Sequence, residues 1–160
     1  MPRASVISMT TPADALSDLS HASLTNELTA FFQRYAEDSL HGEPKTIAAA
    51  YAPSFFVAGP KGSQFFANDE KFLLWLDQLR SFNRQHAMQS MQPSRVEVHQ
   101  LSPIHALARV TWSARFTKTG DRDIGFDISY LLERAGDSWK VLSYVSEKDQ
   151  EDEMRKLELL

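Results

Sequence analysis

Cysteine is absent from the 160 residues. That excludes a disulfide framework, a thiolate metal site and a cysteine nucleophile together. Glycine is scarce, with 6 in the chain, and never gathers into a phosphate-cradling loop; no nucleophile elbow and no metal-spaced His/Glu pair occurs either. An excess of positive charge is also missing. Lys and Arg number 17 against 21 Asp and Glu, a net charge of −4, where a nucleic-acid binder carries a basic face. No apolar run approaches the roughly 18 residues of a membrane-spanning helix. What is present is ordinary for a globular domain: 42% hydrophobic and 24% charged residues. A chain of this length supports one domain that buries roughly 70% of its unfolded surface.

The first 22 residues are expected to form a flexible leader. One arginine, a short apolar patch (Val6, Ile7, Met9) and then Asp14 and Asp18 match neither a secretory signal nor an Arg-rich transit peptide, so a cytoplasmic location is expected. From Ser23 the pattern is helical. Leu24, Leu28, Phe31, Phe32 and Tyr35 form one apolar stripe, and His41-Gly42-Glu43-Pro44 ends it. A short helix through Ile47 and Ala50 is stopped by Tyr51-Ala52-Pro53. Ser54–Gly59 reads as a strand closed by Pro60-Lys61-Gly62. Asn68 is placed as the N-cap of a third helix. That helix carries Phe72, Leu73, Trp75, Leu76, Leu79 and Phe82 and is expected to be largely buried.

After Pro93 the period changes from 3.6 to 2. Val96 and Val98 alternate with polar residues. Ile104, Ala106, Ala108, Val110, Trp112, Ala114 and Phe116 then occupy every even position of a long strand with one buried face. Turns at Thr119-Gly120-Asp121 and Ala135-Gly136-Asp137 lead into strands through Ile124–Leu132 and Trp139–Val145, an antiparallel meander. Residues 148–160 are a charged tail or peripheral helix. The single domain is thus expected over 23–147.

This order of elements resembles the nuclear transport factor 2-like superfamily, whose SnoaL-like and ketosteroid-isomerase-like members share a cone fold. Arg34-Tyr35 in the first helix, Tyr51-Ala52-Pro53-Ser54-Phe55 entering the first strand and Gly136-Asp137-Ser138-Trp139-Lys140-Val141 opening the last carry the resemblance. Val110-Thr111-Trp112 and Ser143-Tyr144-Val145-Ser146 add to it. The resemblance implies an α+β fold, with three N-terminal helices packed on a strongly curved, mainly antiparallel sheet. It further implies a pocket between helices and concave sheet, and a homodimer formed through the outer face. Tyr35 falls where the ketosteroid isomerases carry their oxyanion-hole tyrosine. Their general-base aspartate falls near Gly59, and their protonated aspartate near Ile128. With both carboxylates missing, that isomerase activity is not expected.

The residues proposed to line a pocket are Phe32, Tyr35, Val57, Trp75, Trp112, Ala114, Phe116, Ile128, Tyr130 and Val145. The same strand-spaced aromatics would also serve as plain core. Tyr35 is one candidate for chemistry, and a hydroxyl-tied core tyrosine is its other reading. His86, after the third helix, is the candidate proton carrier, against a solvated loop residue. His99 and His105 lack companions at ligand spacing, so no metal site is expected. Asp127 lies on the outer phase and is expected to pair with Arg109 or Arg115. Arg80 and Arg84 suit the dipole of a helix end. No cofactor motif appears. Two functions follow: a pocket for a small hydrophobic ligand, with or without lyase- or isomerase-type chemistry, or a non-enzymatic dimeric interaction or accessory protein. The second would use an outer face bearing Leu107, Leu131, Leu142 and Tyr144.

Overall fold

The structure, a computed structural model, describes residues 12–156. Helix α1 spans Pro12–His41, α2 Pro44–Ala48 and α3 Glu70–Gln85. The strands are β1 Tyr51–Gly59, β2 Gly62–Ala67, β3 Met88–Ser102, β4 His105–Phe116, β5 Ile124–Ala135 and β6 Ser138–Ser146, followed by α4 Gln150–Lys156. The six strands form one sheet in the order β2-β1-β6-β5-β4-β3. Only β1 and β6 run parallel. This is the α+β cone: helices on one face of a mainly antiparallel sheet. The leader expected over 1–22 lies partly outside the described residues, and its last part continues α1.

The apolar stripe of α1 meets the buried phase of the meander. Leu24, Leu28, Phe32 and Ala36 share one buried cluster with Ala106, Ala108, Val110, Trp112, Tyr130 and Leu132. Small residues at 106 and 108 leave room over β4 for the larger side chains of α1, and the larger ones fill the space further along the strand. Polar groups reinforce the seam. Glu27 of α1 accepts from Arg134 Nη2 at 2.9 Å and Trp139 Nε1 at 3.2 Å, and the guanidinium lies 4.6 Å over the Trp139 ring. The Arg134 hydrogen bond holds the Glu27 carboxyl below the usual carboxylate range.

Four expectations about elements are corrected. The short helix ends at Ala48, ahead of Tyr51-Ala52-Pro53, but these three residues already open β1, expected to start at Ser54; β1 loses its pairing with β6 between Tyr51 and Phe56 and so tolerates Pro53. The chain after Pro60-Lys61-Gly62 returns as β2, an edge strand. β3 starts at Met88, ahead of Pro93, which is accommodated because β3 is the other edge and its register shifts there. Ala87, at φ 51°, reverses the chain between α3 and β3. The N-cap of α3 is Asp69, whose carboxylate accepts from Phe72 N at 3.1 Å. Asn68 instead donates to the carbonyls of Ala48 and Tyr51.

The most consequential departure is in β6. Leu131 pairs with Ser143 and Leu132 with Val141, so Leu142 is an extra residue, a β-bulge. Trp139 and Val141 face the core before it; Tyr144 and Ser146 face inward after it. Val145 is thereby turned outward and is 48% exposed.

Candidate functional site

The concave side of the sheet and the helices enclose a cavity of about 280 Å³. Strands β4, β5 and β6 supply Trp112, Phe126, Ile128, Tyr130, Tyr144 and Ser146. Tyr35 and Ser39 come from α1, Ile47 from α2 and Tyr51 from β1. α3 contributes Trp75, Leu76, Leu79, Arg80 and Asn83, and β3 contributes Met88 and Met91. Trp75 and Leu79 are 42% and 39% exposed and form the rim. The expectation that α3 is largely buried is therefore corrected. Only Phe72 and Leu76 are buried, and Leu74 also faces outward, because one side of this helix borders the cavity opening instead of the core.

Four phenols meet in this space. The Tyr35 and Tyr51 hydroxyls share a hydrogen bond of 2.5 Å, and Tyr130 Oη accepts from Trp112 Nε1 at 3.0 Å. Tyr144, whose ring lies 5.8 Å from that of Tyr130, has no hydrogen-bond partner among the described residues. Burial pushes all four phenols above their ordinary range, so they stay neutral at any physiological pH. Counting protons shows what the site lacks. One proton of the Tyr35–Tyr51 pair, that of Tyr130 and that of Tyr144 have no acceptor among the described residues. The cavity thus presents phenol protons to whatever enters it.

Of the residues named from sequence, Tyr35, Trp75, Trp112, Ile128 and Tyr130 come together here. The other five are corrected. Phe32 is buried behind the wall, its ring 4.7 Å from Tyr130 and 6.1 Å from Trp112. Val57 packs against the core from β1 without reaching the cavity. Ala114 and Phe116 share the inward phase but lie farther along β4, in a separate cluster with Met88, Ile124 and Phe126. Val145 points outward because of the bulge.

His86 caps α3, its Nδ1 2.8 Å from the Phe82 carbonyl and its ring against Phe82, and it does not line the cavity. Ile128 lines the cavity where the resemblance places a protonated aspartate. Gly59, at the position of the general base, pairs with Gly62 in the β1–β2 hairpin. His105 contacts Ser102 Oγ and Glu133 Oε2. Asp127 pairs with Arg109 at 3.3 Å and accepts from Thr111, while Arg115 pairs with Asp123. Among the described residues no cluster of His, Asp and Glu could hold a metal ion, and no helix is long and apolar enough to cross a membrane.

Sequence reasoning missed Tyr51, Tyr144, Arg80 and Asn83. Tyr51 was hidden by its proline neighbour, and Tyr144 by the bulge. The signal for the other two was available: Leu76, Arg80 and Asn83 fall at i, i+4 and i+7 on one face of α3.

Comparison with known proteins places this geometry. Residues 26–149 match the family model described as NTF2-like protein (DUF6841). No curated protein matches the chain. Among solved structures it is similar to an NTF2-like protein with a cystatin-like fold from Novosphingobium aromaticivorans, at 12% identity and a TM-score of 0.66, covering 93% of this chain and 97% of that one. It is also similar to Aln2 from a Streptomyces species, at 14% identity and a TM-score of 0.64, covering 84% of this chain and 95% of that one. An NTF-2 like protein of unknown function from Shewanella oneidensis matches at 14% identity and a TM-score of 0.57, covering 79% and 99%. At such identities the likeness is one of fold.

Proposed function

The chain belongs to the NTF2-like protein (DUF6841) family, and on that premise we propose that it binds a small, largely aromatic molecule through an acceptor oxygen held by the tyrosine cluster. The observation that carries this reading is the set of phenol protons without acceptors inside a 280 Å³ apolar cavity. A ketone or quinone-type oxygen would take those donors without requiring any charge to be buried. The aromatic walls, Trp112, Phe126 and Tyr130 with Trp75 at the rim, suit a flat ring system.

Isomerase- or lyase-type proton abstraction is the less supported form of the same pocket. Neutral phenols can stabilise a developing oxyanion, but Asp, Glu and His do not figure among the lining residues, so the cavity offers no general base. The alternative, a non-enzymatic dimer working through the outer sheet face, is also weakened. Tyr144, half of the apolar pair expected on β6, faces inward, leaving Leu107, Leu131, Leu142 and Val145 beside the Arg109–Asp127–Glu147 ion pairs.

Titration calorimetry with 2-acetylnaphthalene and 2-ethylnaphthalene, which differ in the acceptor oxygen, tests the reading. The ketone is expected to bind wild type about tenfold more tightly, the difference one buried hydrogen bond makes. Tyr144→Phe should erase most of that preference. Equal affinities in both proteins would contradict the proposal.

A further inference from the structure

We propose that Arg80 and Asn83 form an anion subsite at the edge of this cavity, so that the natural ligand is an aromatic acid: an acceptor oxygen at the phenols and a carboxylate toward α3. The inference rests on the pocket reading above and adds the ligand's charge to it. A second cavity of about 110 Å³ adjoins the first, sharing Ser39, Arg80, Asn83 and Met88 with it. The Arg80 side chain is mostly covered, 23% exposed, and its one ion partner among the described residues is Glu43 at 3.8 Å, beyond hydrogen-bond length. Glu43 itself is 80% exposed and sits at the N-cap of α2. The Asn83 side chain makes no hydrogen bond among the described residues, although it lines both cavities. Ser39 Oγ is committed to the Tyr35 carbonyl at 2.7 Å, and the exposed Arg84 borders the second cavity alone, so Arg80 and Asn83 are the groups left to meet a ligand that spans both.

A guanidinium held at a cavity wall with so loose a partner is poised for exchange. A ligand carboxylate would replace the long Glu43 contact with short, charge-assisted bonds, and Asn83 would add a neutral donor. The aliphatic stem of Arg80 would pack beside Leu76 and Leu79, keeping the charge at the edge, where it remains partly hydrated, and leaving the phenol end dry. A phosphate monoester would present the same negative charge, but it is bulkier and doubly charged; Arg84 borders only the smaller cavity, and Arg80, which lines both and faces Glu43, matches a carboxylate better.

The test compares 4-acetylbenzoate and 6-acetyl-2-naphthoate with their methyl esters, by calorimetry on wild type, Arg80→Gln, Glu43→Gln and Ile128→Phe. The acids are expected to bind wild type about tenfold or more tightly than the esters, as one charge-assisted contact implies. Arg80→Gln should abolish the preference without weakening the esters, and Glu43→Gln should enlarge it by removing the competing carboxylate. Acids and esters of equal affinity, both displaced by Ile128→Phe, would overturn the anion subsite and leave the pocket standing. No binding of any of the four compounds at millimolar concentration would overturn both. Circular dichroism of each variant confirms that a lost preference is not lost folding.

Discussion

Four tyrosines, Tyr35, Tyr51, Tyr130 and Tyr144, line the cavity. Tyr35 and Tyr130 fall on the apolar phase of their elements, as do Trp112 and Ile128. Tyr51 and Tyr144 do not, the first because it opens a strand and the second because of the extra residue at 142. Burial raises all four above the ordinary phenol value of 10.0. The sign of the consequence follows from linkage. Above pH 10 the unfolded chain loses these protons while the folded one keeps them, so stability is fully present below about pH 10 and falls as pH rises through the folded values. Urea midpoints measured from pH 7 to 11.5 are expected to be level as far as the tyrosines are concerned up to about 10 and then to drop. Absorbance near 295 nm should show the buried phenolates appearing together with unfolding. Tyrosinate formed with the fold intact would contradict the buried, neutral cluster.

At the scale of elements, the long strands and α1 were legible because their periodicity is uninterrupted. Ala106 to Phe116 alternate over the whole of β4, and Leu24, Leu28 and Phe32 keep helical spacing. The errors cluster where one residue breaks the period. Pro53 and Pro93 read as breakers, yet both stand where pairing to a neighbour is absent or shifted. Leu142 cannot be seen as a bulge from sequence, since an apolar residue suits either phase. Its consequence is testable with one charge placed twice. Val141→Lys, at a fully buried position, is expected to cost more than about 4 kcal/mol and to abolish cooperative folding. Val145→Lys, on the outer side of the bulge, is expected to stay within about 0.5 kcal/mol of wild type in urea melts. A large cost at both positions would mean that alternation runs unbroken through Leu142, with Val145 inward and Tyr144 on the outer face.

For the molecule as a whole, the fold was legible and its use was not. Helix order and meander pointed to the cone, but the cavity depends on where α3 stands against the sheet, and the apolar count of that helix misrepresented its burial. The two faces of the sheet now differ sharply. The concave one holds the aromatic cavity, while the convex one carries ion pairs, including Arg109 with Asp127 and Glu147 and Arg115 with Asp123, beside exposed Leu107 and Val145. If two copies associate through the convex face, they do so over Leu107, Leu131 and Val145. Leu107→Glu should then halve the sedimenting mass at micromolar concentration while leaving ligand affinity unchanged, and an unaltered mass would contradict association through this face. Everything proposed for this protein depends on the cavity. Its most direct test is the thermal shift given by 2-acetylnaphthalene to wild type and to Ile128→Phe, whose ring would occupy the space between Tyr130 and Phe126. At a hundred times the dissociation constant, wild type is expected to gain about 2.7 kcal/mol, or several degrees, and the filled variant almost nothing. Equal shifts in the two folded proteins would mean that the ligand binds elsewhere and that this cavity is not its site.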